Sequence, residues 1–382
     1  MERQVGASMS SRRYAITTLL IGTSWLATGG CAHWMFRAPE HASEVIYART
    51  EDGWNIALHH YPKAAGSPAR QAPVVVCHGI TSNRFNWDLT DRLSLPLYLA
   101  RLGFDTWSIE LRGGGLSRKP GGVSDEGPRI SLDDYILRDV PAVIQEIQKR
   151  TGSPQVHWVA HSMGGTVLYG YLQRVRQDTI RSATMVAAPS SALDHNHKLQ
   201  RTWAIARWVG DLIDELPTGT ASKMGALLAS VPLSDEMRLV WNYDNLGPGV
   251  ARLAAANSVD NLSALVVQQM GGDSGTGHIR SVDGRYDYTQ GMERIEVPML
   301  FLAGALDQLA PPAVLLDGYE RVSSPDKKLE VLGVANGYSQ DYGHVDLCIG
   351  KSAPDEVYPL IGNWLLEHDP EPKHDHGLAP TP

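Results

Sequence analysis

Apolar positions along the chain come in two periods, and the period switches at regular intervals. EVIYART (44–50) and GWNIALHHYP (53–62) flank Glu51-Asp52-Gly53, which predicts two strands around a turn. APVVVCHGI (72–80) is a short, continuous apolar run closed by glycine, as expected of a strand buried on both faces. Residues 87–104 read as helical, and FDTWSIELRGGG (104–115) reads as a strand running into a glycine-rich turn. SLDDYILRDVPAVIQEIQKRTG (131–152) opens on Ser131 with Asp134 three residues later, a helix-start signal. Ile136, Val140, Val143, Ile144 and Ile147 then share one helical face despite Pro141. A strand over 155–161, a helix after Met163 and a strand over 180–189 follow.

Strand and helix therefore alternate from about 72 to 190, which predicts an α/β fold: a mostly parallel sheet with helices on both faces. The alternation stops over 191–292. That stretch is apolar enough to fold and carries helical patterns (202–216, 222–231 and around 249–270), but no convincing buried strand. Alternation resumes with IEVPMLFLAGALD (295–307), a helix near 313–322, the strand KKLEVLG (327–333) and a last helix ending near Glu367. The expected organisation is a core over 44–190 and 293–367, with a helical cap inserted over 191–292. The proline-rich, polar tail 368–382 reads as disordered, with His374 and His376 solvated.

The chain has 382 residues, 43% hydrophobic and 20% charged, enough for one large domain or two ordinary ones. The net charge is −8 with both signs interspersed, so no basic stripe points to nucleic acid. No repeat of 20 to 50 residues is present. The N-terminus stands apart. Arg12 and Arg13 precede an apolar run from Ala15 to Ala27 and then small residues, the pattern of an export signal and too short for an ordinary membrane span. Met9 serves equally well as a start, and the arginine pair partly matches a twin-arginine signal. Thr28-Gly29-Gly30-Cys31 resembles a lipoprotein cleavage site with Cys31 as the lipidated residue, although Thr28 stands where an aliphatic residue is usual. Plain cleavage after small residues and an uncleaved anchor are the competing readings. Beyond Cys31 only Cys77 and Cys348 remain, too few for a disulfide scaffold. Both read as buried hydrophobes, with a bridge between them conditional on proximity.

A serine becomes a nucleophile when a base, a group orienting that base and donors for the developing oxyanion surround it. Ser162, in VHWVAHSMGGTVLYG (156–170), sits between a strand and a helix with small residues Ala160, Gly164 and Gly165 around it. That is the pattern of a nucleophile elbow, with Ala160 in the place of its usual first glycine. A helix-capping serine is the rival, but capping alone does not require small residues on both sides. The strand-end turn Cys77-His78-Gly79-Ile80 can aim a backbone N–H at the serine, so Ile80 and Met163 are the candidate oxyanion-hole donors. His78 and His161 are then structural or site-lining. Asp307 follows an apolar strand, where carboxyl-end chemistry is expected; Asp341 and Asp346 are its rivals. His344, between residue 278 and the tail, is the candidate base.

The order Ser162, Asp307, His344, with HGI (78–80), ELRGGGLS (110–117), AHSMGG (160–165), GALDQLAPP (304–312) and YGHVDL (342–347), resembles an α/β-hydrolase over residues 44 to 367. RTEDGWNIALHHYP, ELRGGGLSRK and GHVDL are most similar to its acid-lipase and esterase branch. The resemblance implies hydrolysis of an apolar or lipid carboxylic ester through an acyl-enzyme, under a helical cap and with no cofactor. Trp203, Trp208 and Trp241 would either line an apolar pocket or pack the cap onto the sheet. Acyl transfer by the same residues and lipid binding without turnover are the alternatives. An epoxide hydrolase or dehalogenase would need aspartate in place of Ser162. No H-E-x-x-H or cysteine–histidine zinc pattern is present, so no metal is implied.

Overall fold

The computed structural model describes residues 35–121, 129–192, 213–229, 240–272 and 276–369. The expected export signal with Cys31, the tryptophans Trp203 and Trp208, and the tail from 370 lie outside these residues.

The first two predicted strands form an antiparallel pair, β1 (Glu44–Arg49) and β2 (Asn55–Tyr61). Then come β3 (Val74–Cys77), β4 (Thr106–Glu110), β5 (Val156–His161) and β6 (Ile180–Val186). Their connections hold helices α1 (Leu95–Arg101), α2 (Val140–Thr151) and α3 (Met163–Arg174). After the insert, β9 (Met299–Gly304), a helix and β10 (Lys327–Leu332) complete one eight-stranded sheet in the order β1-β2-β4-β3-β5-β6-β9-β10. β2 runs antiparallel to both its neighbours, β1 and β4; β4, β3, β5, β6, β9 and β10 are mutually parallel.

Alternate strand residues feed two separate cores, as a pleated sheet covered on both faces requires. Val75, Cys77, Trp158, Ala160, Met185 and Phe301 pack with Val143 and Ile147 of α2 and Val167 of α3. Val74, Val76, Val159, Val186, Leu300 and Leu302 pack on the other face with Leu95 and Leu99 and with Val357 and Ile361 of the C-terminal helix. The strand order reverses between β3 and β5, so a crevice opens at their carboxyl ends.

Between β6 and β9 the described residues add nothing to this sheet. They hold two short strands, β7 (Glu215–Leu216) and β8 (Leu262–Ser263), paired antiparallel, and helices α4 (Thr218–Gly225), α5 (Val250–Asn257) and α6 (Ala264–Gly271). The pattern read as helix up to residue 216 therefore ends in a strand, and the one read around 249–270 is split by β8. Trp241 is half-buried against the core that holds α1. Two longer helices follow, α7 (Pro312–Arg321) and α8 (Ala353–His368).

Three other segments depart from their expected form. The helix expected over 87–104 starts only at Leu95, because Ser94 caps it by accepting the Leu97 N–H and Pro96 fits its first turn. The helix over 131–152 contains a π turn over Tyr135–Asp139. Pro141 has no N–H for the carbonyl four residues back and its ring would clash there, so a wider turn precedes it. At the far end α8 reaches His368, and Asp369 is fully buried, accepting the Gln71 and Ala72 N–H groups. The ordered fold thus extends two residues into the predicted tail.

Cys77 and Cys348 are both buried free thiols, and burial raises the pKa of each.

Candidate active site

Ser162 stands at the turn from β5 into α3 with φ 52° and ψ −125°. A non-glycine residue held there costs on the order of 1–3 kcal/mol. Backbone bonds enforce it: the Ser162 N–H donates to Val186 at 2.9 Å, and its carbonyl accepts the Gly165 N–H at 2.9 Å. The serine makes no capping bond with its side chain, unlike an N-cap serine. A Cβ on Gly164 would lie 2.5 Å from the His78 carbonyl oxygen and 2.9 Å from Cys77 Sγ, so the chain can turn this tightly only with glycine there. Ala160 is fully buried, opposite Cys77 on β3 and Met185 on β6. Its one methyl fits between them.

Three side chains far apart in sequence meet at this turn. His344 Nε2 lies 2.9 Å from Ser162 Oγ, and His344 Nδ1 lies 2.7 Å from Asp307 Oδ2. The second Asp307 oxygen accepts the Leu309 and Ala310 N–H groups at 2.8 and 2.9 Å. These amides orient the carboxylate so that Oδ2 faces the imidazole. All three side chains are buried. The rival acids are engaged elsewhere. Asp341 accepts the Val334 N–H, and Asp346 accepts from Asn245 Nδ2 and from the Gly343 N–H. Asp346 thereby anchors the loop that carries His344; burial raises its pKa to about 6.

The turn after β3 lies beside the serine. A Cβ on Gly79 would be 3.1 Å from Ser162 Cβ. Neither the Ile80 N–H nor the Met163 N–H has a hydrogen-bond partner among the described residues. The Met163 amide also stands at the N-terminus of the 12-residue helix α3, where the helix dipole favours negative charge. His78 is structural: Nδ1 lies 2.8 Å from the Gly79 carbonyl, and Nε2 accepts the Leu111 N–H at 3.1 Å. An accepting Nε2 requires the neutral ring, and burial lowers its pKa in the same sense.

His161 lies between Asn86 Oδ1, 3.0 Å from Nδ1, and the His344 carbonyl oxygen, 3.1 Å from Nε2. Burial first, and then the nearby His344, drive its pKa well down. With a single proton it can donate to only one of these oxygens at a time. Asn86 Oδ1 also accepts the Gly79 N–H at 3.0 Å, which makes Asn86 a brace of the oxyanion turn that the sequence reading did not single out. The polar cluster Ser82-Asn83-Arg84 and Asn86, directly after HGI, was the available signal.

The glycine triplet after β4 has a steric origin. A Cβ on Gly115, at φ 49°, would fall within 2.2 Å of all three Glu110 carboxyl atoms. The buried Arg112 beside it bonds Asp139 and Asp52 and so fixes the turn. A cleft opens here, its apolar wall formed by Leu111, Ile130, Tyr135, Met163 and Leu262 and its polar rim by residues that include Thr81, Ser82, Glu215 and Asn261. Among the described residues, no three His, Cys, Asp or Glu side chains converge as a metal site. No helix among them is long and apolar enough to cross a membrane.

Comparison with known proteins agrees with this architecture. The profile of the alpha/beta hydrolase fold matches residues 72–338. Human lipase member M is 25% identical over 361 residues, spanning 85% of this chain and 83% of the relative. Human lysosomal acid lipase/cholesteryl ester hydrolase is 34% identical over a shorter stretch of 144 residues, 36% of this chain and 35% of that one. Among solved structures, a soluble variant of the Saccharomyces cerevisiae monoglyceride lipase overlays 87% of this chain and 98% of its own with a TM-score of 0.56. At 16% identity that likeness is one of fold. The chain belongs to the α/β-hydrolase fold family.

Proposed function

We propose that this protein is an exported serine hydrolase that cleaves carboxylic esters with an apolar or lipid moiety through an acyl-enzyme. The observation that carries the reading is the unbroken chain from Ser162 Oγ through His344 to Asp307, at a strained turn beside two unpaired amides.

In the first half-reaction His344 Nε2 takes the Ser162 proton as Oγ attacks the ester carbonyl carbon. The carbonyl electron pair moves onto oxygen, and the Ile80 and Met163 N–H groups hold that charge. Asp307 keeps the Nδ1–H tautomer and supports the imidazolium. As the intermediate collapses, the C–O bond to the alcohol breaks and His344 delivers its proton to the departing oxygen. A water then gives its proton to His344 and attacks the acyl-serine, releasing the acid and restoring Ser162.

The apolar walls of the cleft support an apolar acyl or alcohol group. The basic start, the apolar run to Ala27 and the small residues before Cys31 support export, and the Thr28–Cys31 pattern supports lipidation of Cys31 and attachment to a membrane surface. Nitrophenyl esters of increasing chain length, with matched amides, should show ester cleavage rising beyond the acetate and little amide cleavage, all of it absent from Ser162→Ala. Preference for the acetate would count against a lipid-like substrate, and equal turnover by Ser162→Ala against the serine mechanism.

A further inference from the structure

The insert touches both halves of the catalytic apparatus through one short stretch. At its near end Asn242 Nδ2 donates to the Asp341 carbonyl, and Asn245 Nδ2 to Asp346, in the loop that carries His344. At its far end, from the last residue of α5 onward, residues 257–260 lie along the oxyanion turn. Ser82 Oγ donates to the Ser258 carbonyl at 2.8 Å, and Ser82 and Val259 form an antiparallel bridge. Asn83 Nδ2 donates to the Asn257 carbonyl at 2.8 Å.

Asp260 closes this seam with both its backbone and its side chain. Its N–H donates to the Thr81 carbonyl at 2.7 Å. One carboxylate oxygen, Oδ2, accepts from Asn83 Nδ2 at 3.0 Å and from the Gly115 N–H at 2.7 Å. Thr218 Oγ1 in turn holds the Asp260 carbonyl at 2.7 Å. The residue grasped by the backbone bond is the telling one. Thr81 has φ 56°, a left-handed conformation that a β-branched residue adopts only under constraint. It directly follows Ile80, whose N–H is the candidate oxyanion donor. Nothing in the mechanism above uses Asp260. Burial and the neighbouring Glu110 raise its pKa against the pull of its two donors.

We propose that Asp260 is a positioning residue: its carboxylate ties Asn83, two residues after the strained Thr81, to the Gly115 turn, and this tie, beside the Asp260 N–H on the Thr81 carbonyl, holds the conformation that aims the Ile80 N–H. The insert is then part of the oxyanion hole's support as well as a cover for the cleft. Relaxation of Thr81 would free the Ile80–Thr81 peptide and, through Ile80, let the neighbouring peptide with the Ile80 N–H drift from the developing charge. The loss would fall on the transition state, since the ground-state ester carbonyl depends little on that donor.

This inference rests on the serine-hydrolase reading, and the test separates the two. The full chain and its Asp260→Ala, Asp260→Asn and Asn83→Ala variants are compared with a nitrophenyl ester, per active serine counted by fluorophosphonate titration. Asp260→Ala is expected to lower kcat about 10- to 100-fold with KM changed less than about twofold. Its affinity for a boronic acid, which forms a tetrahedral adduct on the serine, should fall in parallel. Asn83→Ala should show the same pattern more weakly. Asp260→Asn should recover most of kcat, because a carboxamide oxygen can accept both donors. Unchanged kcat per active serine in Asp260→Ala overturns the proposal, as does a loss confined to KM or to the number of active molecules. If Asp260→Ala yields no folded protein, Asn83→Ala decides by the same criteria. Absence of ester turnover in the wild type, by contrast, defeats the serine-hydrolase reading itself.

Discussion

Replacing Ser162 by alanine is expected to abolish ester turnover, by roughly 10⁵-fold or more, while leaving the fold in place. The size follows from the arrangement. Without Oγ there is no atom to form the acyl-enzyme, and the remaining donors can only assist direct attack by water. The fold should survive because backbone bonds to Val186 and from Gly165, and not the hydroxyl, hold the turn. Alanine keeps the same backbone burden at φ 52°. The side chain removed is a single hydroxyl, whose loss leaves His344 Nε2 without its partner at a cost of about 1–3 kcal/mol. Circular dichroism and urea unfolding, set beside kinetics on the same preparation, check both halves. Residual turnover within about tenfold of wild type would contradict the assignment.

The second large effect is expected for Asp307→Asn, about 10⁴-fold in kcat, and its reason is the tautomer of His344. Asp307 Oδ1 accepts two backbone amides, from Leu309 and Ala310. An asparagine would satisfy both with its carbonyl oxygen, which turns its NH₂ group toward His344 Nδ1. The imidazole must then accept at Nδ1 and carry its proton on Nε2, facing Ser162 Oγ. A protonated Nε2 cannot take the serine proton, so the base is disabled with its position intact. Steady-state kinetics and the rate of fluorophosphonate modification should fall together, with stability little changed. A small effect on kcat would mean that Asp307 does not set the tautomer.

The contrast between legible and illegible parts of the molecule follows from distance along the chain. β3, β5 and β9 are fully buried, so each shows as a short apolar run closed by a turn signal, and the residue after each run falls at the crevice. Ser162 is legible for that reason, Asp307 stands out from Asp341 and Asp346 by following a strand, and His344 is picked out instead as the histidine of the loop after the last strand. Amphipathic stretches were less informative. The apolar residues from Trp87 to Leu93 are buried in irregular backbone that periodicity mistakes for helix. The insert misled in another way: β7 and β8 have two residues each, too short to show any period. Asn86 shows only as part of a polar cluster after HGI, and Asp260 shows no sequence mark. Each acts by accepting backbone or side-chain N–H groups from a turn that only the folded chain brings near, and an acceptor of that kind has no sequence spacing.

The family places the serine on a familiar scaffold, but the claim that this serine is the nucleophile is a claim about one oxygen atom. The most direct test is a fluorophosphonate probe on the wild-type protein, followed by intact-mass and peptide mapping. One probe adduct per molecule is expected, on Ser162, with ester turnover lost in proportion and no adduct on Ser162→Ala. An active, folded preparation that stays unlabelled, or that carries its adduct on another residue, would contradict the account.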